Sequence, residues 1–447
     1  MDFINYANDN KQKFLDDLKE LLKIDTVLIE QPEIKDAPFG QNLVEALKFM
    51  LSLGEREGFV TKNIENVAGH IEYGEGDEVI GVLCHLDVVP TGDGWTYPPF
   101  EPTIVDGKIY ARGSMDDKGA CISSLYALKA LKESGVKLNK KIRLIFGTDE
   151  ETGSRGIKRY LEVEKMPDLG FSPDADYPII YAEKGITSFD LLSKNINEEI
   201  IEFTSGDRYN VVPEAATVVL KNDYKEQFKK FLNEKNYNGE IKDNKYIMYG
   251  KRAHAMEPRN GINAIIRLVE FLNTIIEDKY LQFIYNNFKC SRLKNVNENF
   301  TDPEMGDLTS NVALLNIKNG IGSCGINFRY PINWDKEKYF NTLNTKANES
   351  NVEVKVLNDS VPHYIPKDHD LVKTLHKSYI KYTNDDKTPL MTIGGGTYAR
   401  SLKCAVAFGP MMPGREDVVH QVDEYAYIED LLISVAIFAD ALKELGK

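Results

Sequence analysis

Three short polar turns between residues 79 and 153 constrain the fold of this chain more than any other feature. The first and third turns directly follow apolar runs, residues 79–84 and 142–146, which are typical of buried parallel strands. In open α/β sheets, sites are built beyond the carboxyl ends of such strands. The pattern therefore predicts an α/β fold with a polar site at one edge of its sheet. The turns carry His85 and Asp87, then Asp116 and Asp117, then Asp149, Glu150 and Glu151.

So many carboxylates in one place would repel each other strongly unless a cation held them together. Imidazole nitrogen and carboxylate oxygen are ligands that Zn²⁺, Mn²⁺ and Co²⁺ all accept. Each turn alone has an ordinary explanation: His85 could be a surface histidine, Asp117 a helix cap, and Glu150 a solvated charge. Their convergence on one sheet edge favours a metal site.

The composition limits the kinds of binding partner and indicates the cellular compartment. The 447 residues carry 55 Lys and Arg against 69 Asp and Glu, a net charge of -14, which disfavours nucleic acid as a partner. The five cysteines are scattered without a Cys-x-x-Cys pair, as expected of reduced thiols in a cytosolic protein. The start lacks a signal peptide, and no apolar run is long enough to span a membrane. We expect a cytoplasmic protein without a membrane segment.

The pattern of predicted strands and helices changes twice along the chain. Strand, loop and helix alternate up to about residue 156, including a helix predicted over 118–134, the pattern changes after residue 185, and the α/β pattern resumes near residue 369. The block between them mixes strands and helices and lacks the acidic turns. We predict a catalytic domain formed by 1–185 and 364–447, with an open, mostly parallel sheet covered by helices. An inserted α+β lid domain is predicted at 186–363.

Three motifs together resemble a known family. His-x-Asp-Val-Val-Pro, Ala-Arg-Gly-x-x-Asp-Asp-Lys-Gly and Asp-Glu-Glu-x-Gly begin at residues 85, 111 and 149. In this order and spacing they resemble the di-metal hydrolases that include acetylornithine deacetylase, succinyl-diaminopimelate desuccinylase, glutamate carboxypeptidases and carnosine-type dipeptidases. The segments 171–175 and 183–185 are most similar to the bacterial dipeptidase V (PepV) group. The resemblance covers essentially the whole chain.

The resemblance implies a ligand set for two divalent cations. By position, His85 and Asp174 would bind one cation, Glu151 and His420 the other, and Asp116 would bridge both. Zinc is the first candidate, and manganese and cobalt suit the same ligands. A shared carboxylate would keep the two cations close enough to activate one water and polarise one carbonyl.

Two further acidic residues near the ligands receive roles from the resemblance. Asp87 would orient the imidazole of His85. Glu150 would act as the general base that deprotonates the attacking water and then protonates the leaving amine. For Asp117 and Asp149, capping and hydrogen bonding suffice as roles.

The predicted lid domain and the Gly-rich turn supply candidate substrate contacts. His254 would stabilise the oxyanion of the tetrahedral intermediate, although an ordinary exposed histidine is the plain alternative. Asn210 matches a lid asparagine of the dipeptidases. Arg329 could pair with the substrate carboxylate or form a structural ion pair. The turn at 394–397 lacks the Gly-Lys-Ser/Thr of a P-loop, so we expect Gly395 and Gly396 to line the substrate cleft with backbone groups.

The first functional hypothesis is a cytoplasmic, monomeric metallo-dipeptidase acting on short peptides with a free N-terminus. The alternative enzyme is an N-acyl amino acid deacylase of the acetylornithine deacetylase or desuccinylase type. A non-enzymatic peptide- or metal-binding protein is the third hypothesis, and the intact Glu150, Asp87 and five ligand positions argue against it.

Overall fold

The computed structural model describes residues 1–31 and 33–447, and these residues divide into two compact units. The first unit comprises Met1–Tyr181, Ile365–Met391 and Thr397–Lys447. The second unit comprises Ala182–Tyr364 and Thr392–Gly396. No helix among the described residues is both long enough and apolar enough to cross a membrane.

The Gly-rich segment Thr392–Gly396 belongs to the second unit, whereas the sequence prediction placed it in the catalytic domain. Two hydrogen bonds explain the difference. Lys184 N–H donates to the carbonyl of Ile393 at 3.0 Å, and Arg329 Nη1 donates to the carbonyl of Gly394 at 3.2 Å. Both partners are remote in sequence, so the strand pattern alone could not indicate them.

The first unit is built on a mixed sheet whose centre is parallel. Its strands, in spatial order, are Val60–Ile64, Ala68–Tyr73, Lys141–Gly147, Val79–His85, Leu169–Ser172, Ala405–Ala407 and Ile180–Glu183, the last of which runs into the second unit. The four strands from Lys141–Gly147 to Ala405–Ala407 pair in parallel, and the pairs on either side are antiparallel. The α/β prediction is confirmed, and the parallel part of the sheet carries the predicted site.

The central strand Val79–His85 is buried at every residue. It pairs in register with Lys141–Gly147, so that His85 lies opposite Gly147. A strand covered on both faces requires apolar side chains throughout, which explains the continuous apolar run in the sequence. The two strands therefore deliver their following turns to the same edge of the sheet.

Helices and short strands complete the first unit. The helices are Phe3–Asp9, Lys11–Leu22, Gln41–Arg56, Lys118–Ser134, Arg155–Val163, Asp370–Thr383 and Ile428–Leu445, with a 3-10 turn at Tyr398–Ser401. Thr103–Val105, Lys108–Tyr110 and Tyr425–Tyr427 form a three-stranded sheet, and Ala175–Asp176 pairs with Pro410–Met411. Met391–Ile393 pairs with Ile180–Glu183.

The helix Lys118–Ser134 follows directly on Asp116 and Asp117. It packs against the helix Ile428–Leu445, where Ser123 Oγ donates to the carbonyl of Leu431 at 3.1 Å. Gly119 permits a close approach between the start of this helix and the preceding turn, because a Cβ at this position would lie 2.2 Å from the carbonyl oxygen of Ser114. The buried helix thereby fixes the position of the acidic turn that precedes it.

The second unit is an α+β structure around one antiparallel sheet. The spatial order of its strands is Gly239–Lys242, Lys245–Tyr249, Ala215–Leu220, Ile200–Ser205, Thr309–Lys318, Ile321–Tyr330, Gly185–Ser193 and Glu353–Ser360. The helices are Lys225–Lys235, Ala264–Ile275, Lys279–Phe288 and Lys336–Glu349, with 3-10 turns at Pro258–Asn260 and Lys294–Val296. Short strand pairs are Val211–Val212 with Ala253–His254, Thr301–Asp302 with Gly306–Asp307, and Ala182–Glu183 with His363–Tyr364. One aromatic-rich cluster forms its core, including Phe189, Phe271 and Phe328.

Candidate dinuclear metal site

His85 ends the central strand of the first unit and is fully buried. Its Nδ1 lies 3.0 Å from the main-chain carbonyl oxygen of Asp87. Its Nε2 lies 2.8 Å from Asp116 Oδ1 and 3.6 Å from Asp174 Oδ2. With the carbonyl accepting the Nδ1 proton, the ring presents an Nε2 lone pair towards the two carboxylates.

Asp116 lies between two imidazoles. Its Oδ1 faces His85, while its Oδ2 lies 2.9 Å from His420 Nε2. His420 Nε2 also lies 2.9 Å from Glu151 Oε1. Thus His85, Asp116 and Asp174 form one group of potential ligands, and Asp116, Glu151 and His420 form another. The two groups share Asp116, and all five residues belong to the first unit.

The spacing of these atoms fits a pair of small cations. Two ligands bound about 2.1 Å from one cation at tetrahedral angles lie about 3.4 Å apart. The four separations in the structure, 2.8, 3.6, 2.9 and 2.9 Å, lie on both sides of this value. His85 Nε2 and Asp116 Oδ1 are buried and, among the described residues, make no aligned hydrogen bond. Buried polar atoms of this kind point to a bound ion.

The carboxyl group of Asp87 holds the third turn of the site. Its Oδ1 accepts a hydrogen bond from Glu150 N–H and its Oδ2 one from Glu151 N–H, both at 3.0 Å. The nearer carboxyl oxygen is 3.6 Å from His85 Nδ1. The direct contact to the imidazole therefore comes from the main chain of Asp87, and its side chain positions the backbone of the two glutamates.

Similar proteins identify the family. The sequence profile described as peptidase family M20/M25/M40 matches residues 81–444. The chain belongs to this family. A putative dipeptidase, YtjP, of Bacillus subtilis (strain 168) is 45% identical over 457 residues, covering 98% of each chain. The metallopeptidase class expected from the motifs is thereby confirmed.

Solved structures of M20 peptidases share the fold of this chain. Human carnosine dipeptidase 1 has a TM-score of 0.58 at 15% identity, covering 99% of this chain and 98% of its own. The YXEP protein of Bacillus subtilis, described as a dinuclear metal binding peptidase, has a TM-score of 0.51 at 11% identity, covering 98% of this chain and 99% of its own. The five-residue cluster lies within the part of this M20 chain that matches the family profile.

The protonation behaviour of this M20 site reflects crowded acids in a buried place. Burial and the Asp116 carboxylate raise the pKa of Glu151 to about 7 and that of Asp174 to about 6. Burial favours the neutral form of Asp116, but His420 and His85 outweigh it and hold the pKa of Asp116 well below its usual range. A divalent cation would relieve the repulsion among these carboxylates and compete with protons for them.

Glu150 and Glu151 are adjacent in the chain but have different surroundings. Glu151 contacts His420, and Glu150 is absent from both ligand groups. Burial, with the charges of Asp174 and Glu151 as further causes, raises the pKa of the Glu150 carboxyl well above its ordinary value. A carboxyl group of raised pKa beside a candidate metal site is suited to carry a proton.

The remaining predicted site residues all lie in the second unit: Asn210, His254, Arg329, Gly395 and Gly396. The strand Val211–Val212 pairs with Ala253–His254, and Ala255 N–H donates to the carbonyl of Asn210 at 2.8 Å. Asn210 and His254 are therefore neighbours. His254 Nδ1 accepts a hydrogen bond from Met256 N–H at 3.1 Å, so the neutral ring carries its proton on Nε2.

Arg329 lies on the strand Ile321–Tyr330 and is buried. Its Nε donates to Asn327 Oδ1 at 2.8 Å, and its Nη1 donates to the carbonyl of Gly394. Gly394 also contacts Met256, since a Cβ added there would lie 3.0 Å from the Met256 side chain. The second unit thus brings the Gly-rich turn next to both Arg329 and the His254 segment.

Sequence reasoning missed one acidic residue of this region. Glu424 is buried, although it follows His420 by only four positions in a polar loop. A glutamate in a polar loop is usually solvated. The weak signal was its spacing from a candidate ligand, and that spacing alone does not distinguish a buried carboxyl from an exposed one.

Proposed function

We propose that this chain is a dipeptidase that uses two divalent cations to hydrolyse short peptides with a free N-terminus. The observation that carries the proposal is the sharing of the buried Asp116 between two groups of potential ligands, at 2.8 Å from His85 and 2.9 Å from His420. A carboxylate with one oxygen towards each imidazole is suited to bridging. When bound, two cations polarise the substrate carbonyl and lower the pKa of a water molecule.

The proposed ligands are His85 and Asp174 on one side of Asp116, and Glu151 and His420 on the other. Zinc is the first candidate metal, and manganese and cobalt suit the same donor set. His420 is half-exposed, whereas His85 is fully buried, so of the two proposed histidine ligands His420 is the one in contact with solvent.

Glu150 is the proposed proton carrier. It takes the proton of the attacking water and delivers it to the amine that leaves when the peptide bond breaks. Its raised pKa makes the carboxyl a better proton acceptor than an exposed glutamate. Asp87 fixes the backbone of Glu150 by the 3.0 Å hydrogen bond and so limits the positions from which the carboxyl can act.

The second unit is proposed to supply substrate contacts. His254, with its proton on Nε2, is a suitable donor to the oxyanion that forms on the substrate carbonyl. Arg329 is the proposed partner of the substrate carboxylate, since a guanidinium pairs with a carboxylate through two parallel hydrogen bonds. Asn210 and the backbone of Gly395 and Gly396 are the remaining proposed contacts, and the unit as a whole is the proposed lid.

Dipeptides are favoured over N-acyl amino acids as substrates. The relative that is 45% identical over nearly the whole chain is named a putative dipeptidase. A dipeptide offers a free amine that the acidic cluster can pair with and a carboxylate for Arg329. Leaving one such buried charge without its partner costs about 1–3 kcal/mol, or roughly 5- to 150-fold in the specificity constant.

We also propose a monomer in the cytoplasm. The five cysteines are free thiols, three of them buried, which suits a reducing compartment. The monomer follows from the resemblance to the PepV group.

The test is a matched set of substrates: one unblocked dipeptide, its N-acetyl form, its amide, and a tripeptide extended from it. We expect the free dipeptide to be hydrolysed fastest, with sharp losses for the other three. The Glu150→Gln variant serves as the control for contaminating peptidases. Faster hydrolysis of the N-acyl amino acid would contradict the proposal and favour the deacylase.

A further inference from the structure

Glu424 connects the two ligand-bearing loops of the first unit. Its side chain is 1% exposed. Oε1 of its carboxyl accepts hydrogen bonds from Met115 N–H at 2.9 Å and Asp116 N–H at 3.3 Å. The carboxyl of Glu424 therefore contacts the backbone of the residue whose side chain is shared between the two ligand groups. In the chain, Glu424 follows His420 by only three intervening residues.

The second carboxyl oxygen of Glu424 has two further donors. Oε2 accepts from Arg112 Nη1 at 2.7 Å and from Gly113 N–H at 3.1 Å. Arg112 is also 1% exposed, and its guanidinium lies over the Trp95 ring at 5.1 Å. Four donors thus converge on one buried carboxylate, and its charge is matched by the arginine. Such an arrangement fixes geometry, because each donor constrains the carboxylate from a different direction.

Two main-chain contacts extend the connection beyond the carboxyl group. Ala111 N–H donates to the main-chain carbonyl of Glu424 at 3.1 Å. On the other side, Thr96 N–H donates to Asp423 Oδ1 at 2.7 Å. The segment before Tyr425 is therefore anchored at both residues 423 and 424, and the loop with His420 has little freedom to move relative to residues 111–116.

We propose that Glu424 is a positioning residue that sets the placement of Asp116 relative to His420 and so assembles the site for the second cation. The inference rests on the two-cation function proposed above. The hydrogen bonds from Met115 and Asp116 hold one loop, and the covalent chain from residue 424 back to His420 holds the other. The 2.9 Å separation of Asp116 Oδ2 and His420 Nε2 is the distance that this connection maintains.

The charge of Glu424 is as important as its length. A glutamine would keep the carbonyl that accepts from Met115 and Asp116, but its NH₂ group would face Arg112 Nη1 and Gly113 N–H. Donors facing donors repel, so the amide must rotate away and release one of the two loops. A polar group that orients a metal ligand typically contributes 10- to 100-fold to metal affinity.

The test compares Glu424→Gln with wild type in the full chain, stripped of metal and titrated with Co²⁺. The absorption of Co²⁺ in the visible range reports the arrangement of its ligands. We expect wild type to bind two Co²⁺ ions and the variant to bind the second at least about ten-fold more weakly, with an altered absorption band. Glu429→Gln is the matched control, because Glu429 is exposed in the first turn of the helix that follows and its carboxyl pairs with Arg415 rather than with the residues of the site.

Two variants keep the test decisive. Glu424→Asp retains the charge opposite Arg112 and shortens the side chain, so we expect the same weakening of the second Co²⁺ site. If both variants bind two Co²⁺ ions with wild-type affinity and absorption, even at lower thermal stability, the inference is overturned. Loss of folding in both variants would also overturn it, since the contacts would then serve folding rather than ligand placement. A wild-type protein that binds fewer than two Co²⁺ ions would contradict the proposed function itself, and the inference with it.

Discussion

The Asp87→Asn variant tests how the turn that carries Glu150 and Glu151 is held. The Asp87 carboxyl is fully buried and accepts one N–H hydrogen bond on each oxygen, both at 3.0 Å. Asparagine has nearly the same size, but one of its two terminal groups is an NH₂ donor. In the variant, one backbone N–H therefore faces another donor, while the other keeps a neutral acceptor.

The size of the effect follows from these two hydrogen bonds. A buried N–H left without an acceptor costs about 1–3 kcal/mol, and exchanging a charged acceptor for a neutral one costs about 1 kcal/mol. We expect a total loss of about 2–4 kcal/mol in the free energy of unfolding. For a unit of more than about 150 residues this lowers Tm by roughly 4–16 °C. The affinity of the cation site that includes Glu151 should fall by about 10- to 100-fold.

Calorimetry and Co²⁺ titration measure the two effects separately. Asp93→Asn is the matched control, because Asp93 is exposed in the same region of the chain. The main-chain carbonyl of residue 87 still holds His85 in the variant, so one Co²⁺ should bind as tightly as in wild type. A variant with the same Tm and the same affinities for both Co²⁺ ions as wild type would refute this reasoning. Weakening confined to the site of His85 would show that the carboxyl of Asp87 orients the imidazole instead.

Three further predictions concern single side chains. Glu150→Gln should keep both metal ions and lose about 10²–10⁴ in kcat. Glu151→Gln should lose one of the two ions. Equal metal loss of the two variants in elemental analysis would contradict this assignment of the two roles. His254→Gln should lower kcat by roughly 10²–10³ at unchanged metal content, and an effect on KM alone would remove it from the chemistry. Burial lowers the pKa of His70 to about 4 from 6.5, with Arg143 as a further cause, so the folded state requires the neutral ring. As the pH falls from 6.5 to 4, the free energy of unfolding should fall by about 3 kcal/mol more in wild type than in His70→Gln. Chemical denaturation at several pH values measures this, and the same dependence on pH in both proteins would contradict the prediction.

The part of the fold that was predictable from the sequence rests on local patterns. The helix predicted over 118–134 is observed as Lys118–Ser134, because its apolar stripe is complete and Gly135 ends it in the left-handed conformation at φ 68°. The apolar runs before residues 85 and 149 are strands, since buried parallel strands need continuous apolar sequence. Parallel pairing then brings their following turns together.

Two elements of the fold were not predicted. The edge strand Val60–Ile64 exposes most of its residues, so it shows no apolar alternation. The helix Lys279–Phe288 is rich in aromatic residues and follows the previous helix closely, which hides its start at Asp278. Val60–Ile64 is held by its antiparallel pairing with Ala68–Tyr73, and that pairing cannot be seen in the composition of the strand itself.

The candidate site likewise has a part that could be predicted from the sequence and a part that could not. The five candidate ligands were singled out because their motifs resemble a family, and the structure brings all five together in the first unit. The partners that hold them could not be found in this way. Glu424 contacts Met115 and Asp116 across about 308 residues of chain, and nothing local in the sequence indicates which buried carboxyl meets which backbone N–H.

The most direct test of the central claim is metal content measured together with dipeptide hydrolysis. Metal-free protein is titrated with Zn²⁺, Mn²⁺ or Co²⁺, and bound metal and turnover are followed in wild type and in Asp116→Ala. We expect full activity only at two ions per chain in wild type. Asp116→Ala should bind less than one ion tightly and hydrolyse no dipeptide above background, because its carboxylate serves both ligand groups. Full turnover without metal, or an Asp116→Ala variant that keeps two tightly bound ions and wild-type activity, would contradict the shared-carboxylate site.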